Sequence, residues 1–237
     1  MPEVVKTYVC DNKIMDTLEI QRSILNAYVA DMAKYASPGE TVKIMACFDS
    51  LPIQLAKNNK KFQYKVVQKG GSATIFGTSL QWLSAAGITD YCYRIEHGFQ
   101  PPEAYRNLAS FKIYMADPGL LANKANVLPH DVFSGRGDTF SGALAENYVG
   151  GALRNNGYKL YYWESSSQAE VDFVLQTSSG LIPLEVKAAE NVRSRSLKVY
   201  EGKYAPALMI RASGKNFGKE KNLISLPLYA IYCLDDL

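Results

Sequence analysis

Several kinds of functional site are missing from this sequence of 237 residues. It holds two histidines and four scattered cysteines with no Cys-x-x-Cys pair, which argues against a structural zinc site. The same cysteines indicate a reducing, cytoplasmic compartment rather than a disulfide framework. No run reaches the roughly 18 apolar residues that span a bilayer, and the first residues lack a signal pattern, so we expect no membrane partner.

A nucleotide-binding loop is missing as well. The stretch at 214–219, GKNFGK, is rich in glycine and lysine, but the spacing G-x-x-x-x-G-K-[ST] occurs neither there nor elsewhere, so we expect no ATPase site. The composition, 47% hydrophobic and 21% charged, is typical of a globular protein, and the length predicts one large or two ordinary domains. The net charge of +3 permits a nucleic-acid partner without requiring one.

What the sequence does contain is a strand–turn–strand segment at residues 170–187, EVDFVLQTSSGLIPLEVK. Two runs with alternating side chains flank the polar turn 177–180, in which Gly180 is free to take a positive φ. Because strand side chains alternate between faces, the first run is expected to point its apolar and its acidic residues in opposite directions. The predicted faces are Val171 with Phe173 on one side, and Glu170 with Asp172 on the other.

A hairpin centred on this turn sets Asp172 opposite Glu185, and Glu170 opposite Lys187, at about 5 Å. Two carboxylates at that distance repel each other unless a cation or a proton lies between them. Carboxylate oxygens are the ligands that Mg²⁺ prefers, so these residues predict a divalent metal with the Lys187 charge beside it. The alternative is a surface hairpin with a Glu170–Lys187 ion pair and a tolerated acidic pair.

A third carboxylate, Glu146, lies in a predicted helix at 139–155, whose apolar residues recur every four positions. Gly142 and Gly150 lie one turn before and after it and leave the carboxylate uncrowded, and Asp138 is the predicted N-cap. The alternative is that the glycines allow close packing of helix on sheet, with Glu146 an ordinary surface residue. The elements predicted to follow are strands at 158–163, in the hairpin, and at 206–211, 223–226 and 228–234, with a basic helix at 194–204.

The first half of the sequence predicts a winged helix-turn-helix, because a short helix, a turn, a longer helix and a strand follow one another. Residues 1–15 give only a short, mixed pattern. The elements predicted after them are helices at 16–35, at 40–48, from Pro52 onward and at 72–86, and then a strand at 88–95.

Five lysines without an intervening acid come just before the long helix of this module. They are predicted to contact DNA phosphates, which position a protein without specifying sequence: Lys57, Lys60, Lys61, Lys65 and Lys69. The long helix itself offers polar residues but no Arg or Lys: Thr74, Thr78, Ser79 and Gln81. The alternative is therefore a winged helix used for protein packing, with the lysines as a solvated face.

The order helix, three strands, helix, strand, with Glu146 on the first helix, Asp172 on the second strand and Glu185-x-Lys187 on the third, resembles the PD-(D/E)XK nuclease superfamily. The resemblance implies a restriction-endonuclease-like αβββαβ core with a mixed sheet. It implies that Asp172 and Glu185 bind Mg²⁺ or Mn²⁺, and that Glu146 assists directly or through water. Lys187 would steady the attacking water or the developing phosphate charge, and Glu170 would support Lys187.

A second resemblance covers nearly the whole chain. The strings LPIQLAKNNKKFQYK, FGTSLQWLSAAGI, FKIYMADPGLL, GALAENYV, EVDFV and PLEVK are similar to the C-terminal region of a bacterial and archaeal family of AAA-type ATPases. This implies a winged helix at 1–104, a nuclease-like domain of unknown function at 105–237, and an α/β (α+β) fold class. The ATPase domain of that family is absent here, so any ATP-dependent role belongs to the missing part.

Three functions are compatible with these patterns. The first is a metal-dependent DNA endonuclease domain, since all four groups that the superfamily needs are present. The second is a non-catalytic DNA- or protein-binding module that regulates an ATPase, since this fold hosts inactive members. The third is a protein–protein interaction domain without DNA, which the uncharged helix at 72–86 favours.

Overall fold

The computed structural model describes residues 1–133, 139–165, 169–188 and 195–236. The chain forms two compact units, of which one contains 1–90 with 115–136 and the other contains 91–114 with 137–237. Each unit is therefore built from two separate stretches of sequence. The division into 1–104 and 105–237 remains a prediction.

The first unit is helical. Its helices are α1 (Pro2–Asp11), α2 (Ile14–Tyr35), α3 (Pro38–Leu55), α4 (Tyr64–Val67), α5 (Ala73–Ala85), α6 (Pro118–Lys124) and α7 (Pro129–Phe133). Helices α2 and α5 lie within two residues of the predicted bounds. In α5 an apolar stripe of Phe76, Leu80 and Leu83 is buried. Whether α3, α4, α5 and the following strand act as a winged helix stays a prediction.

Helix α3 is continuous, where the sequence predicted two helices separated near Pro52. Ser37 and Glu40 form a capping box at its start, where Pro38 has no amide that needs a partner. Pro52 lies inside the helix, although proline removes one helical hydrogen bond. Leu51 and Leu55, on either side of Pro52, are both buried, and their burial holds the helix together across the proline.

Helix α1 was not predicted, although Val5, Tyr8 and Val9 recur at helical spacing, and these three side chains are exposed. It buries none of its residues, and it ends at Asn12 in the left-handed conformation (φ 51°). The Met1 amino group lies 2.7 Å from the Asp117 carboxylate, which also accepts a hydrogen bond from the amide of Leu120 as the N-cap of α6. No helix in the described part of the chain is both long and apolar enough to cross a bilayer.

Two mixed sheets and two long helices account for most of the second unit. One sheet has the order β2-β1-β3-β4, in which β1 and β3 are parallel and β3 and β4 antiparallel. Its strands are β1 (Thr89–Ile95), which begins in the first unit, β2 (Arg106–Met115), β3 (Tyr161–Glu164) and β4 (Glu170–Val171). The fold class is thus α/β, with helices and two mixed sheets.

The other sheet has the order β5-β6-β7-β9-β8. In it β7 is parallel to both of its neighbours, β6 and β9, whereas β5 pairs with β6 and β8 pairs with β9 in the antiparallel direction. Its strands are β5 (Phe173–Thr177), β6 (Gly180–Lys187), β7 (Met209–Ser213), β8 (Gly218–Glu220) and β9 (Leu223–Pro227), and the helices of this unit are α8 (Thr139–Asn155) and α9 (Arg195–Tyr204). The order of elements from α8 to β7 agrees with the sequence analysis, while the nuclease-like nature of the core remains a prediction.

Two sequence predictions in this unit need comment. The segment predicted as a strand at 228–234 is a 3-10 helix, Leu228–Asp236. Its buried residues Ala230, Ile231 and Leu234 follow a helical rather than an alternating spacing. The predicted N-cap of α8, Asp138, lies outside the described residues.

A bend at Asp172 divides the strand between the two sheets. Val171 packs with Val174 in the cluster beneath α9, whereas the Phe173 ring lies 5.7 Å from the Tyr114 ring. The prediction that Val171 and Phe173 share a face is therefore wrong. Strict alternation fails because the chain leaves one sheet at Val171 and enters the other at Phe173.

Candidate functional site

The hairpin of β5 and β6 sets the register of the candidate site. Thr177 pairs with Gly180, whose φ of 123° explains the glycine, and Phe173 pairs with Leu184. One position beyond that pair, Asp172 lies beside β6, and its Oδ2 accepts a hydrogen bond from the amide of Val186 at 2.8 Å. The register thus brings Asp172 opposite Glu185, as the turn chemistry predicted.

Glu185 is buried, with 2% of its surface exposed. Its Oε1 lies 2.9 Å from Nζ of Lys187, whose side chain is 34% exposed. Its Oε2 is buried and has no hydrogen-bond partner within the described ranges. Buried polar atoms are almost always paired, because desolvation without a partner costs about 1–3 kcal/mol. This oxygen is therefore suited to a ligand.

Glu146 is held by two buried side chains of β2. Its Oε1 lies 2.9 Å from Nζ of Lys112 and accepts a hydrogen bond from the Tyr114 hydroxyl at 2.5 Å. Glu146 is 3% exposed, so the alternative of an ordinary surface residue is wrong. The close packing attributed to the glycines is confirmed at Gly150, where an added Cβ would lie 3.3 Å from the Tyr114 ring.

Lys112 is the central cation of this group and is fully buried. Besides Glu146 it contacts Glu170, whose Oε1 lies 2.5 Å from its Nζ, and its ammonium lies 5.0 Å from the centre of the Tyr162 ring. Burial alone would lower the pKa of Lys112, but the carboxylates of Glu146, Glu170 and Asp172 raise it well above its ordinary value. Lys112 is therefore a permanent charge at physiological pH.

The pKa of Tyr114 is likewise raised, first by burial and then by the Glu146 carboxylate. Its phenol keeps its proton and serves as a donor to Glu146. Burial also raises the pKa of the Cys92 thiol, which is close enough for its charge state to be influenced by Lys112. The group around Glu146 is thus a satisfied network built around one buried ammonium.

The predicted ion pair between Glu170 and Lys187 does not form. Glu170 of β4 is the register partner of Glu164 of β3, and its carboxylate contacts Lys112. Lys187 instead binds Glu185. The bend at Asp172 is the physical reason, since it places Glu170 and Lys187 in different sheets. The alternative hairpin with this ion pair is excluded by the same contacts.

The two glutamates of the predicted constellation approach the sheet from different faces. Gly150 of α8 faces the Phe173 ring, so Glu146 comes from the Phe173 side. Glu185 pairs in register with Arg211, so the two side chains share a face. Arg211 is two residues from Met209, which packs in the cluster beneath α9, so this is the face that α9 covers. Helices α8 and α9 thus cover opposite faces of this sheet.

Over the described ranges, no group of three or more His, Cys, Asp and Glu side chains is arranged to hold a metal ion. The structure sets Asp172 opposite Glu185 in the hairpin register and joins Glu146 to Lys112, whose pKa Asp172 also raises. The assignment of Asp172, Glu185 and Glu146 as metal ligands, and of Lys187 as a catalytic group, remains a prediction.

Lys112 and Tyr114 were missed by the sequence analysis. A signal was present, because a single lysine lies between Phe111 and Ile113 in an otherwise apolar run. Lysine is almost never fully buried unless it is paired. A lysine in such a strand therefore predicts a buried carboxylate, although the sequence does not say which one.

The comparisons with known proteins bear on both halves of the chain. Residues 1–131, more than half of the sequence, match the domain of unknown function DUF8612. This protein belongs to the DUF8612 family. Residues 141–231 match a second domain of unknown function, DUF4143, which is found in AAA-ATPase-associated proteins. No curated protein and no solved structure gives a match to the chain.

The DUF4143 match begins inside α8 and ends in the last 3-10 helix, so it contains Glu146, Asp172, Glu185 and Lys187. The predicted DNA-contacting lysines fall in the DUF8612 segment. They surround α4: Lys57 follows α3, Lys65 lies in α4, and the others lie in the flanking turns. On α5 the residues Thr74, Thr78 and Gln81 are exposed, but Ser79 is buried, so it cannot contact DNA as the sequence suggested. DNA contact by this segment stays a prediction.

Proposed function

We propose that the second unit is a PD-(D/E)XK-type domain that hydrolyses phosphodiester bonds of DNA with the help of a divalent metal ion. The observation that carries this proposal is the buried Oε2 of Glu185, which lacks a partner in the described part of the structure. It lies on β6 beside Asp172 and two residues before Lys187. This is the spacing by which the sequence resembles the nuclease superfamily.

The residues present fit a magnesium ion, provided that two protein carboxylates suffice. Mg²⁺ dehydrates reluctantly and is usually held by one or two carboxylates together with waters and substrate phosphates. Asp172 and Glu185 on neighbouring strands supply two such groups. Glu146 is not required as a direct ligand, because Lys112 and Tyr114 already bind its Oε1.

A divalent cation at this position would activate a water molecule and neutralise charge on the phosphate. Asp172 and Glu185 would hold it, and the hydrogen bond from the Val186 amide fixes the Asp172 carboxylate. Lys187 is aligned by Glu185 and is one-third exposed, so its ammonium can reach a phosphate oxygen from the protein side. Lys112 restrains Glu146 and Glu170 through its ion pairs with both carboxylates.

The order of elements supports the same proposal. The succession α8, β3, the bent strand β4–β5, β6, α9 and β7 agrees with the αβββαβ order that the superfamily resemblance implies. The match to DUF4143 supports an association with an ATPase, because that domain is found in AAA-ATPase-associated proteins. An ATPase is accordingly the proposed partner, and the ATP-dependent step would belong to it.

The test is cleavage of supercoiled plasmid and of labelled oligonucleotides in Mg²⁺ or Mn²⁺. We expect Asp172→Asn and Lys187→Met to abolish cleavage. The matched controls are Glu220→Gln and Lys219→Met on the exposed strand β8, which should cut at the wild-type rate. Wild-type protein that cuts no DNA in either metal, or Asp172→Asn that cuts like wild type, would refute the proposal.

A second candidate function is a non-catalytic module that binds DNA or protein and regulates an ATPase. It is favoured by the ion pairs of Lys112 and Lys187, since each lysine already neutralises a carboxylate. Calorimetric titration with Mg²⁺ separates the two functions. Metal binding that Asp172→Asn removes supports the nuclease, whereas salt-dependent DNA affinity without metal binding supports the module. Neither metal nor DNA binding would leave a protein-interaction domain.

A further inference from the structure

A cluster of aromatic rings in the second unit reaches the surface at the loop after β1. The Phe99 ring lies 5.4 Å from Tyr204 and 6.2 Å from Tyr105, and Tyr105 lies 5.5 Å from His97, all between ring centres. We call these four residues the aromatic platform. Beneath it, Tyr204 contacts two buried rings, those of Tyr200 at 4.8 Å and Trp163 at 5.8 Å.

The inner and outer rings differ in their exposure to water. Trp163 and Tyr200 are at most 1% exposed and belong to the core beneath α9. Phe99 is 55% exposed, although it is anchored against Tyr204. Burial in the core therefore explains the inner rings but leaves a large apolar ring of the platform in water.

The loop that carries Phe99 is fixed by close packing. An added Cβ at Gly98 would lie 2.6 Å from the Tyr200 hydroxyl oxygen and 2.8 Å from the Tyr204 ring. Only glycine allows the backbone to approach α9 this closely. Phe99 is thus presented on a tightly packed support.

A cation lies next to the platform. Lys203 of α9 has its Nζ 5.3 Å from the centre of the Tyr204 ring and 5.8 Å from that of Trp163. Within the described ranges it forms no ion pair with a carboxylate, and the nearby acid of α9, Glu201, accepts a hydrogen bond from Asn222 instead. Lys203 is exposed and can bind an anion.

We propose that the aromatic platform binds single-stranded DNA, with an unpaired base on the Phe99 ring and a phosphate on Lys203. Aromatic rings interleaved with cations are the usual means of holding single strands, because every base has a face that can stack. In a duplex these faces are occupied by neighbouring bases. A neutral apolar partner would leave Lys203 without a counter-charge.

This inference rests on the proposed function for its choice of DNA and gives that function a substrate class. The platform lies on the α9 side of the sheets. Glu185 lies on the same side, because it shares a strand face with Leu181, which packs against the cluster beneath α9. A strand that stacks on Phe99 would therefore lie on the same side as Lys187.

The test is fluorescence anisotropy of a labelled fifteen-base thymidine oligonucleotide with the full chain, in EDTA so that no cleavage occurs. We expect Phe99→Ala to weaken binding at least about fivefold. The matched control is Phe217→Ala, which removes a ring of nearly equal exposure (57%) in the same unit and should change affinity less than about twofold. Equal effects of the two substitutions would overturn the proposal.

Two further comparisons complete the test. Lys203→Gln should lower the salt dependence of single-strand binding by about 0.7 in the slope of log K against log salt, whereas Lys219→Gln should not. A duplex of the same length should bind more weakly than the single strand. If the protein binds both DNAs equally and Phe99→Ala changes neither affinity, the result would count against the platform. Asp172→Asn should retain single-strand binding, so failure of cleavage and failure of the platform are distinguishable.

Discussion

Removal of the buried ammonium of Lys112 is expected to destabilise the second unit strongly. In Lys112→Met, Glu146 keeps a carboxylate that is 3% exposed, and its remaining described hydrogen bond at Oε1 comes from a neutral phenol. Breaking a buried ion pair from one side costs about 3–5 kcal/mol, because the other charge is left uncompensated. Against a total stability of about 5–15 kcal/mol, such a loss is a large fraction.

A second substitution separates the charge effect from the packing effect. Lys112→Met combined with Glu146→Gln removes both buried charges and keeps the side-chain volumes similar. Replacing a buried pair by neutral groups is often nearly neutral, so the double variant should recover more than half of the lost stability. Glu170 does not reverse this expectation, because its side chain is 30% exposed and can be solvated.

Urea denaturation followed by tryptophan fluorescence measures this effect. The chain has two tryptophans, so a Trp82→Phe background leaves Trp163, buried in the second unit, as the reporter. With a slope of about 2 kcal/mol/M, the midpoint should fall by about 1.5–2.5 M. A loss under about 1 kcal/mol, or no recovery in the double variant, would refute the role given to Lys112.

The pH dependence of the same loss follows from the direction of the Lys112 pKa. Its pKa is higher in the folded than in the unfolded state, so its contribution is complete below the unfolded value of about 10.4 and disappears as pH rises through the folded value. The wild-type contribution of Lys112 should therefore persist to at least about pH 9, and the difference between wild type and Lys112→Met should not decrease between about pH 6 and 9. A difference that vanishes on approaching pH 9 would contradict the pairing.

Two further predictions concern α8 and the thiols. Gly142→Ala should raise the stability by about 0.5–1 kcal/mol, since no atom of the described residues lies within 4 Å of the added Cβ. Gly150→Ala should not raise it, because its Cβ would press on the Tyr114 ring at 3.3 Å, and thermal melting of both variants measures the difference. Burial raises the pKa of Cys47 to about 12, so a thiol reagent at pH 8 should label two cysteines quickly and two only on unfolding. The fast pair is Cys10 and Cys233, and the slow pair is Cys47 and Cys92.

Local signals in the sequence determine much of this fold. The helices α2, α5 and α8 follow from apolar residues at helical spacing, and the hairpin register follows from a polar turn that ends in Gly180. Helix α1 escapes such reasoning because it buries no residue. The continuity of α3 through Pro52 escapes it because the compensating burial depends on tertiary contacts.

The candidate site shows a different limit. Lys112 meets carboxylates that lie 34 and 58 positions away in the sequence, and no local pattern encodes such a partner. The prediction of one face for Glu170 and Asp172 assumed an unbroken strand. The strand instead changes sheets at Asp172, where Glu170 contacts Lys112, and Asp172 accepts a hydrogen bond from β6 while its charge also acts on Lys112.

The same bend separates Glu170, which turns to Lys112, from Lys187, which binds Glu185. On its near side, Glu146 and Glu170 are neutralised by a lysine that cannot leave the core. On its far side, Glu185 adjoins a partly exposed lysine, and its buried Oε2 is left without a partner in the described part of the chain. Chemistry needs groups that can exchange partners, so the proposed reaction would depend on Asp172, Glu185 and Lys187. The network around Lys112 instead fixes the strand from which Asp172 projects.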